Sequence, residues 1–214
     1  MKDKKSISLT KIIRIMTTKN ITLRVSTITL LILFAAFSRL IPHPPNFAPI
    51  GAMALFGAAY FSKRYLAFLI PIFSMWLSDL VINNVVFGHY FDHFVWAYDG
   101  FYWTYGSFII ISLVGFVLLK KVNPQRLIIS SLSASVLFFI ISNFGVWASG
   151  TMYPKSINGL ITCYAAGIPF FKNTLLGDLT YCAALFGVFE LLQYKIPKLR
   201  TNKILANEKE NNLS

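Results

Sequence analysis

The fold is decided by residues 25–64, which read VSTITLLILFAAFSRLIPHPPNFAPIGAMALFGAAYFSKR. The apolar run at 25–41 approaches the length of about 20 residues that a membrane-spanning helix requires. The prolines that follow it from Pro42 end such a helix, because proline lacks the backbone N–H that a helix interior uses. A second, shorter run, 47–61, is rich in glycine and alanine and stops at Lys63 and Arg64. The stretch therefore predicts two membrane helices joined by a tight turn.

The composition extends this interpretation to the whole chain. Of 214 residues, 56% are hydrophobic and 13% are charged, and the mean hydropathy is +0.61. A soluble domain carries about 25% charged residues, so this chain has too few charges to cover a soluble domain's surface. Disorder is excluded as well, since it requires low hydrophobicity and high charge. The composition indicates a polytopic membrane protein.

We expect an all-α bundle of six transmembrane helices in a lipid bilayer. The predicted spans are residues 25–41, 47–61, 65–87, 104–119, 127–148 and 171–194. They divide the chain into a basic cytoplasmic arm (1–24), a transmembrane domain (25–194) and a polar cytoplasmic tail (195–214).

The basic residues predict the orientation of the bundle. Seventeen of the 20 lie in the arm, in the tail, or in two loops at residues 63–64 and 120–126. Lysine and arginine accumulate in cytoplasmic loops, so both termini are predicted to be cytoplasmic. The same bias accounts for the net charge of +12. There is no basic groove with interleaved aromatic residues, and we expect no nucleic-acid partner.

Polar side chains within the predicted spans are concentrated in the outer half of the membrane. Such groups are costly in lipid, so each is a candidate functional residue. The candidates are Arg39, Asp79, Asn83, Asn84, Asn143, Trp147 and Asp178. A channel would be expected to carry polar groups through the full thickness. The asymmetry instead predicts a ligand pocket that is open outward and closed below.

A structural role competes with ligand binding at these positions. Arg39 could form an ion pair with Asp79 or with Asp178 that fixes the helix register. The asparagines could equally form hydrogen bonds between helices. The sequence leaves both alternatives open.

The predicted outer loops add further candidate ligand-binding residues. They are His43, Asn46, His89, His93 and Asn158. His89 and His93 have an i, i+4 spacing that could hold a metal on a helix. No glutamate follows His89 as in zinc proteases, so we interpret the histidines as ligand-lining and expect no metal. The aromatic stretch at 87–105 could form an interfacial belt or a lid over a flat ligand.

The sequence carries no recognisable catalytic motif. It lacks the Gly-x-Ser-x-Gly motif and the phosphate-binding loop, and neither Asp79 nor Asp178 follows Gly-x-Gly. Cys163 is predicted in a loop and Cys182 inside a span, so we do not expect them to pair. We therefore expect neither an enzyme nor a bound cofactor.

Ala54 and Ala58 form a small-xxx-small pattern in the second predicted helix. Such a pattern lets another helix approach closely. The approaching helix could belong to this chain or to a partner membrane subunit.

Three segments together carry a resemblance to a known family. They are RLIPHPPNFAPIGAMALFG at 39–57, WLSD at 76–79 and NTLLGD at 173–178. They resemble an uncharacterised bacterial family of small integral membrane proteins. That family is itself similar to the substrate-binding S components of energy-coupling-factor (ECF) transporters. The resemblance covers about residues 39–195.

The resemblance implies a six-helix subunit of the bacterial inner membrane that binds a vitamin or similar micronutrient at its outer face. A separate ECF coupling subunit and two ATPases would energise uptake, with Ala54 and Ala58 matching the positions that dock the coupling subunit. The alternative is a non-catalytic scaffold, similar to the small rod-shape subunits of cell-wall elongation. Such a scaffold needs no polar outer pocket.

Overall fold

The structure is a computed structural model that describes the backbone of residues 9–200 and the side chains from residue 20. Residues 1–8 of the predicted arm and 201–214 of the predicted tail lie outside the described residues. Within residues 9–200 there are six α-helices: α1 (Leu9–Phe37), α2 (Ile50–Tyr60), α3 (Arg64–Val81), α4 (Phe101–Leu118), α5 (Pro124–Ser149) and α6 (Ile157–Lys195). Residues 9–200 contain no strand. The prediction of an all-α, six-helix protein is confirmed.

Five of these helices are long and apolar enough to cross a membrane, whereas α2 is not. At 1.5 Å per residue, the 11 residues of α2 extend about 16 Å, roughly half of a bilayer's hydrocarbon core. The predicted second span at 47–61 is therefore corrected to a half-length helix. Residues 41–49, between α1 and α2, contain no α-helix.

The short helix α2 lies at the centre of the bundle. It packs against all five other helices, and Phe56 is fully buried. The Phe56 ring makes edge-to-face contacts with Tyr60, Phe186 and Phe189. Because α2 is enclosed, the free amides at its N-terminus must be satisfied by protein groups or by water in a cavity.

Ala54 and Ala58 belong to this buried helix. Their exposed fractions are 0% and 8%. A Cβ added to Gly115 of α4 would lie 2.8 Å from the Ala58 Cβ. The small-residue pattern therefore serves close packing of α2 against α4. Neither alanine offers an exposed surface for the partner-subunit docking that the resemblance implied.

Helix α1 begins well before the predicted span at residue 25. Neither glycine nor proline interrupts Leu9–Phe37, so the helix continues through the basic residues. The predicted arm is thus helical from Leu9 onward. The hydropathy pattern did not predict this N-terminal part of α1, because charged residues lower the mean hydropathy without interrupting a helix.

Helix α6 begins at Ile157, although residues 149–170 were predicted as an outer loop. The Ser156 side chain caps the helix by accepting a hydrogen bond from the Gly159 amide at 3.2 Å. The 39 residues extend about 58 Å, well beyond a bilayer core. Cys163 is consequently helical, and Asp178 lies about 32 Å from the helix start. Both cysteines are free and buried.

Candidate functional site

A cavity of about 580 Å³ lies where α2 begins. It is bounded by the non-helical segment 41–49, by the C-terminal end of α3 and by the middle of α6. Its polar lining consists of Arg39, His43, Asn46, Thr104, Thr174 and Asp178. Its apolar walls include Ile50, Met75, Ile82, Val86, Phe87 and Phe138.

The non-helical segment is fixed by local turns and by contacts with α6. Asn46 adopts a left-handed conformation with φ 64°, which asparagine tolerates better than most residues. The Asn173 side chain donates a hydrogen bond to the Pro45 carbonyl at 2.9 Å. Gly177 permits close approach, because an added Cβ would lie 3.1 Å from the Ala48 nitrogen. Within a membrane, irregular backbone is stable only inside protein or beside an aqueous cavity; this segment packs against α6 and borders the cavity.

Arg39 forms an ion pair with Asp79, which settles the pairing that the sequence left open. Nη1 of Arg39 lies 2.7 Å from Oδ1 of Asp79 and donates to the Ser78 hydroxyl at 2.8 Å. The Tyr105 hydroxyl donates to the other carboxylate oxygen at 2.7 Å. Asp79 does not line the cavity. It fixes the position of Arg39 through the ion pair on the side away from the cavity.

Only one nitrogen of the Arg39 guanidinium is used in these contacts. The hydrogen bonds to Met75, Ser78 and Asp79 all come from Nη1. Among the described residues, none accepts a hydrogen bond from Nη2 or Nε of Arg39. Arg39 lines the cavity, so these donors can serve an acceptor group on a ligand.

Asp178 holds the N-terminus of α2 from the middle of α6. Its side chain is 1% exposed and accepts from the Ser135 hydroxyl at 2.7 Å and from the Ala52 amide at 3.3 Å. The positive end of a helix dipole favours a carboxylate at this place. The absence of a side chain at Gly51 makes space for this carboxylate, because a Cβ there would lie 2.6 Å from Oδ1 of Asp178.

The cavity thus brings together four of the predicted ligand-binding residues. Arg39, His43, Asn46 and Asp178 line it, and Asp79 supports it through the ion pair. Thr174 lies one helical turn before Asp178. Its side chain was missed, although a polar residue at i−4 on the same helix face was a usable signal.

Asn83 and Asn84 lie in a π-helical turn, Ile82–Val86, that continues α3. The Asn84 side chain donates to the Val95 carbonyl at 2.9 Å and accepts from the Val95 amide at 2.7 Å. It thereby ties the loop 87–100 to the end of α3. Neither asparagine lines the cavity.

Asn143, Trp147 and Asn158 lie along α5 and the start of α6, outside the cavity. Asn143 packs against α6, where a Cβ on Gly167 would lie 2.4 Å from its Oδ1. The Trp147 indole donates to the Pro154 carbonyl at 2.9 Å. Asn158 is exposed in the first turn of α6. Asn143 thus belongs to the α5–α6 contact, and Trp147 holds the connection between these two helices.

The two loop histidines are exposed and do not line the cavity. His89 lies in a short 3-10 turn, Gly88–Tyr90, after which Phe91 is extended. The i, i+4 spacing of His89 and His93 is therefore not helical. Within residues 9–200, no three His, Cys, Asp or Glu side chains are grouped so as to hold a metal ion.

Two aromatic rings of the outer stretch, Phe87 and Tyr98, line the cavity. Tyr98 is linked to Thr104 by a hydrogen bond, and burial raises the pKa of Tyr98, which keeps the phenol neutral. The rings of Tyr90, Phe94 and Trp96 are 72%, 53% and 65% exposed. The lid interpretation therefore applies to two rings only.

Comparison with protein families gives one match. Residues 19–199 match the model of DUF6580, a family of unknown function. The matched range contains every residue of the cavity and of the ion pair behind it. No curated protein and no solved structure matches the chain.

Proposed function

This chain belongs to DUF6580, a family of unknown function, and we propose that it is a substrate-binding membrane subunit of a micronutrient uptake transporter. The ligand is a small organic molecule that binds in the cavity at the N-terminus of α2. The protein resides in the bacterial inner membrane, with both termini cytoplasmic, and its role is similar to that of ECF S components. The proposal assigns it no catalytic step.

The observation that carries the proposal is a half-length helix that begins, after a non-helical segment, beside a cavity. Small-molecule sites range from about 300 to 1,000 Å³, and this cavity measures about 580 Å³. Transporters commonly bind substrates where discontinuous helices expose backbone groups and helix ends. The segment 41–49 and the half-length helix α2 form such a break. A scaffold would have no need for it.

The lining indicates the chemistry of the ligand. The free donors of Arg39 fit a carboxylate or carbonyl group, because guanidinium binds planar acceptors in a fork geometry. Ile50, Met75 and Phe138 provide apolar surface for the body of the molecule. The ligand is therefore an amphipathic molecule with an acceptor group at one end.

The energising partners remain part of the proposal. A coupling subunit and two ATPases would drive uptake, as in the transporters that the chain resembles. Since Ala54 and Ala58 are buried, a coupling subunit would have to dock on another face of the bundle.

The proposal is tested by thermal unfolding of the purified protein in detergent with a mixture of vitamins. We expect a rise in Tm for the wild type and a smaller rise or none for Arg39→Gln. Asn158→Ala is the matched control, because it changes an exposed polar residue outside the cavity, and its Tm should rise like that of the wild type.

Two results would count against the proposal. The first is a Tm that no compound in the mixture raises in either wild type or control. The second is an equal rise in wild type and Arg39→Gln, which would place the ligand elsewhere. The first result would favour the scaffold alternative.

A further inference from the structure

A second cavity, of about 450 Å³, lies at the opposite end of the bundle. It is formed by α1, by the turn between α2 and α3, and by the chain after α6. Three cationic side chains line it, Arg24, Lys63 and Arg200. No carboxylate is among its described lining residues.

Arg24 is held in place by neutral groups. Nη1 donates to the Gln193 side chain at 3.0 Å and Nη2 donates to the Tyr60 carbonyl at 3.3 Å. Its Nε is buried and has no hydrogen-bond partner among the described residues. The charge of Glu190 acts on Arg24, but that carboxylate is hydrogen-bonded to the Tyr60 hydroxyl. Among the described residues, no carboxylate forms a direct ion pair with Arg24.

The other two cations surround the same space. Lys63 is exposed, and its Nζ lies 5.9 Å from the Tyr65 ring centre. Arg200 donates from Nε to the Gln193 carbonyl at 3.0 Å. Three cations around one concave space attract anions more strongly than the same charges on a flat surface.

One side of the lining is apolar and lies at the edge of the membrane-spanning segments. Ile21, Val25, Ile28 and Leu66 line the cavity, and Ile21 is 57% exposed. The apolar stretch of α1 begins at Asn20 and that of α3 at Arg64. The cavity therefore combines a cationic end with an apolar wall at the boundary between lipid and water.

We propose that this cavity binds a phosphate-bearing anion, with Arg24, Lys63 and Arg200 around the phosphate. An anionic phospholipid fits it best, because the apolar wall can accommodate part of an acyl chain. Basic pockets between membrane helices bind lipid headgroups in the same way. The site is separate from the ligand cavity at the start of α2.

The test measures the Tm of the purified protein in detergent during titration with phosphatidylglycerol, phosphatidylcholine of the same chains, or inorganic phosphate. A ligand of the folded state raises Tm in proportion to its occupancy. We expect phosphatidylglycerol to raise Tm and phosphatidylcholine to have a much smaller effect. Stabilisation by inorganic phosphate as well would identify the phosphate group alone as sufficient.

Lys63→Gln should weaken the apparent affinity for phosphatidylglycerol about fivefold, as expected for one basic residue near a lipid phosphate. Lys63→Glu should weaken it further. Lys120→Gln is the control, because it removes the same charge from an exposed position at the same end, outside the cavity. Equal stabilisation by both phospholipids, or equal weakening by the Lys63 and Lys120 variants, would overturn the proposal.

Discussion

Gly51→Ala tests the contact between α2 and Asp178 with a single methyl group. The added Cβ would lie 2.6, 2.7 and 2.8 Å from Oδ1, Oδ2 and Cγ of Asp178. Real Cβ atoms essentially never come so close, so the carboxylate must move. It is pinned by the Ser135 hydroxyl and the Ala52 amide, and moving it weakens both hydrogen bonds.

The expected loss of stability follows from these contacts. Overpacking costs about 1–3 kcal/mol, and a hydrogen bond to a charged group contributes about 1.5–3 kcal/mol. Alanine gains about 0.5–1 kcal/mol over glycine in a helix. The net destabilisation is about 2 kcal/mol, which for a chain of this size corresponds to a fall in Tm of about 4–8 °C.

The assay is thermal unfolding in detergent, with Gly187→Ala as the matched control. Gly187 is also helical, but an added Cβ there has no neighbour within 4 Å, so Tm should stay level or rise slightly. A further variant, Gly51→Ala combined with Asp178→Ala, should lose less stability than the sum of the two single changes, because the clash is gone. Equal Tm values for Gly51→Ala and Gly187→Ala would refute the reasoning.

Three further predictions concern the surroundings of the cavity. Tyr105→Phe removes the hydroxyl that donates to Asp79 and should cost about 1.5–3 kcal/mol, seen as a lower Tm; an unchanged Tm would contradict the role of this hydrogen bond in holding Asp79. Asn84→Ala removes both hydrogen bonds to Val95 and should accelerate limited proteolysis within residues 87–100, whereas an unchanged cleavage rate would show that the loop is held otherwise. Lys155→Cys should react with a membrane-impermeant thiol reagent added to intact cells, and labelling only after permeabilisation would reverse the proposed orientation.

Much of the fold was predictable because hydropathy is a local property. The spans predicted at 65–87, 104–119 and 127–148 overlap α3, α4 and α5 closely. The short α2 was not predictable, since residues 47–61 are apolar throughout. Its start is fixed by Asp178, a residue more than a hundred positions further along the chain. The start of α6 was missed because Gly159, Gly167 and Pro169 resemble loop residues, although they are accommodated within the helix.

The candidate site was predictable in its residue types and only partly in its geometry. Arg39, Asp79 and Asp178 could be identified from the sequence alone, because charged side chains inside a membrane are costly and therefore rare. Which carboxylate pairs with Arg39 depends on how the helices are arranged, and no spacing along the chain determines that. The roles of Asn84 and Trp147 likewise depend on tertiary contacts that the sequence does not reveal. Their polar groups form hydrogen bonds that hold loops.

The central claim is that the cavity at the start of α2 holds a small organic ligand. Native mass spectrometry of the gently solubilised protein tests it most directly, because a retained molecule adds its own mass to the folded chain. We predict such an added mass, present in the wild type and reduced in Arg39→Gln. A bare mass for the folded wild type, unchanged after incubation with a vitamin mixture, would contradict the claim.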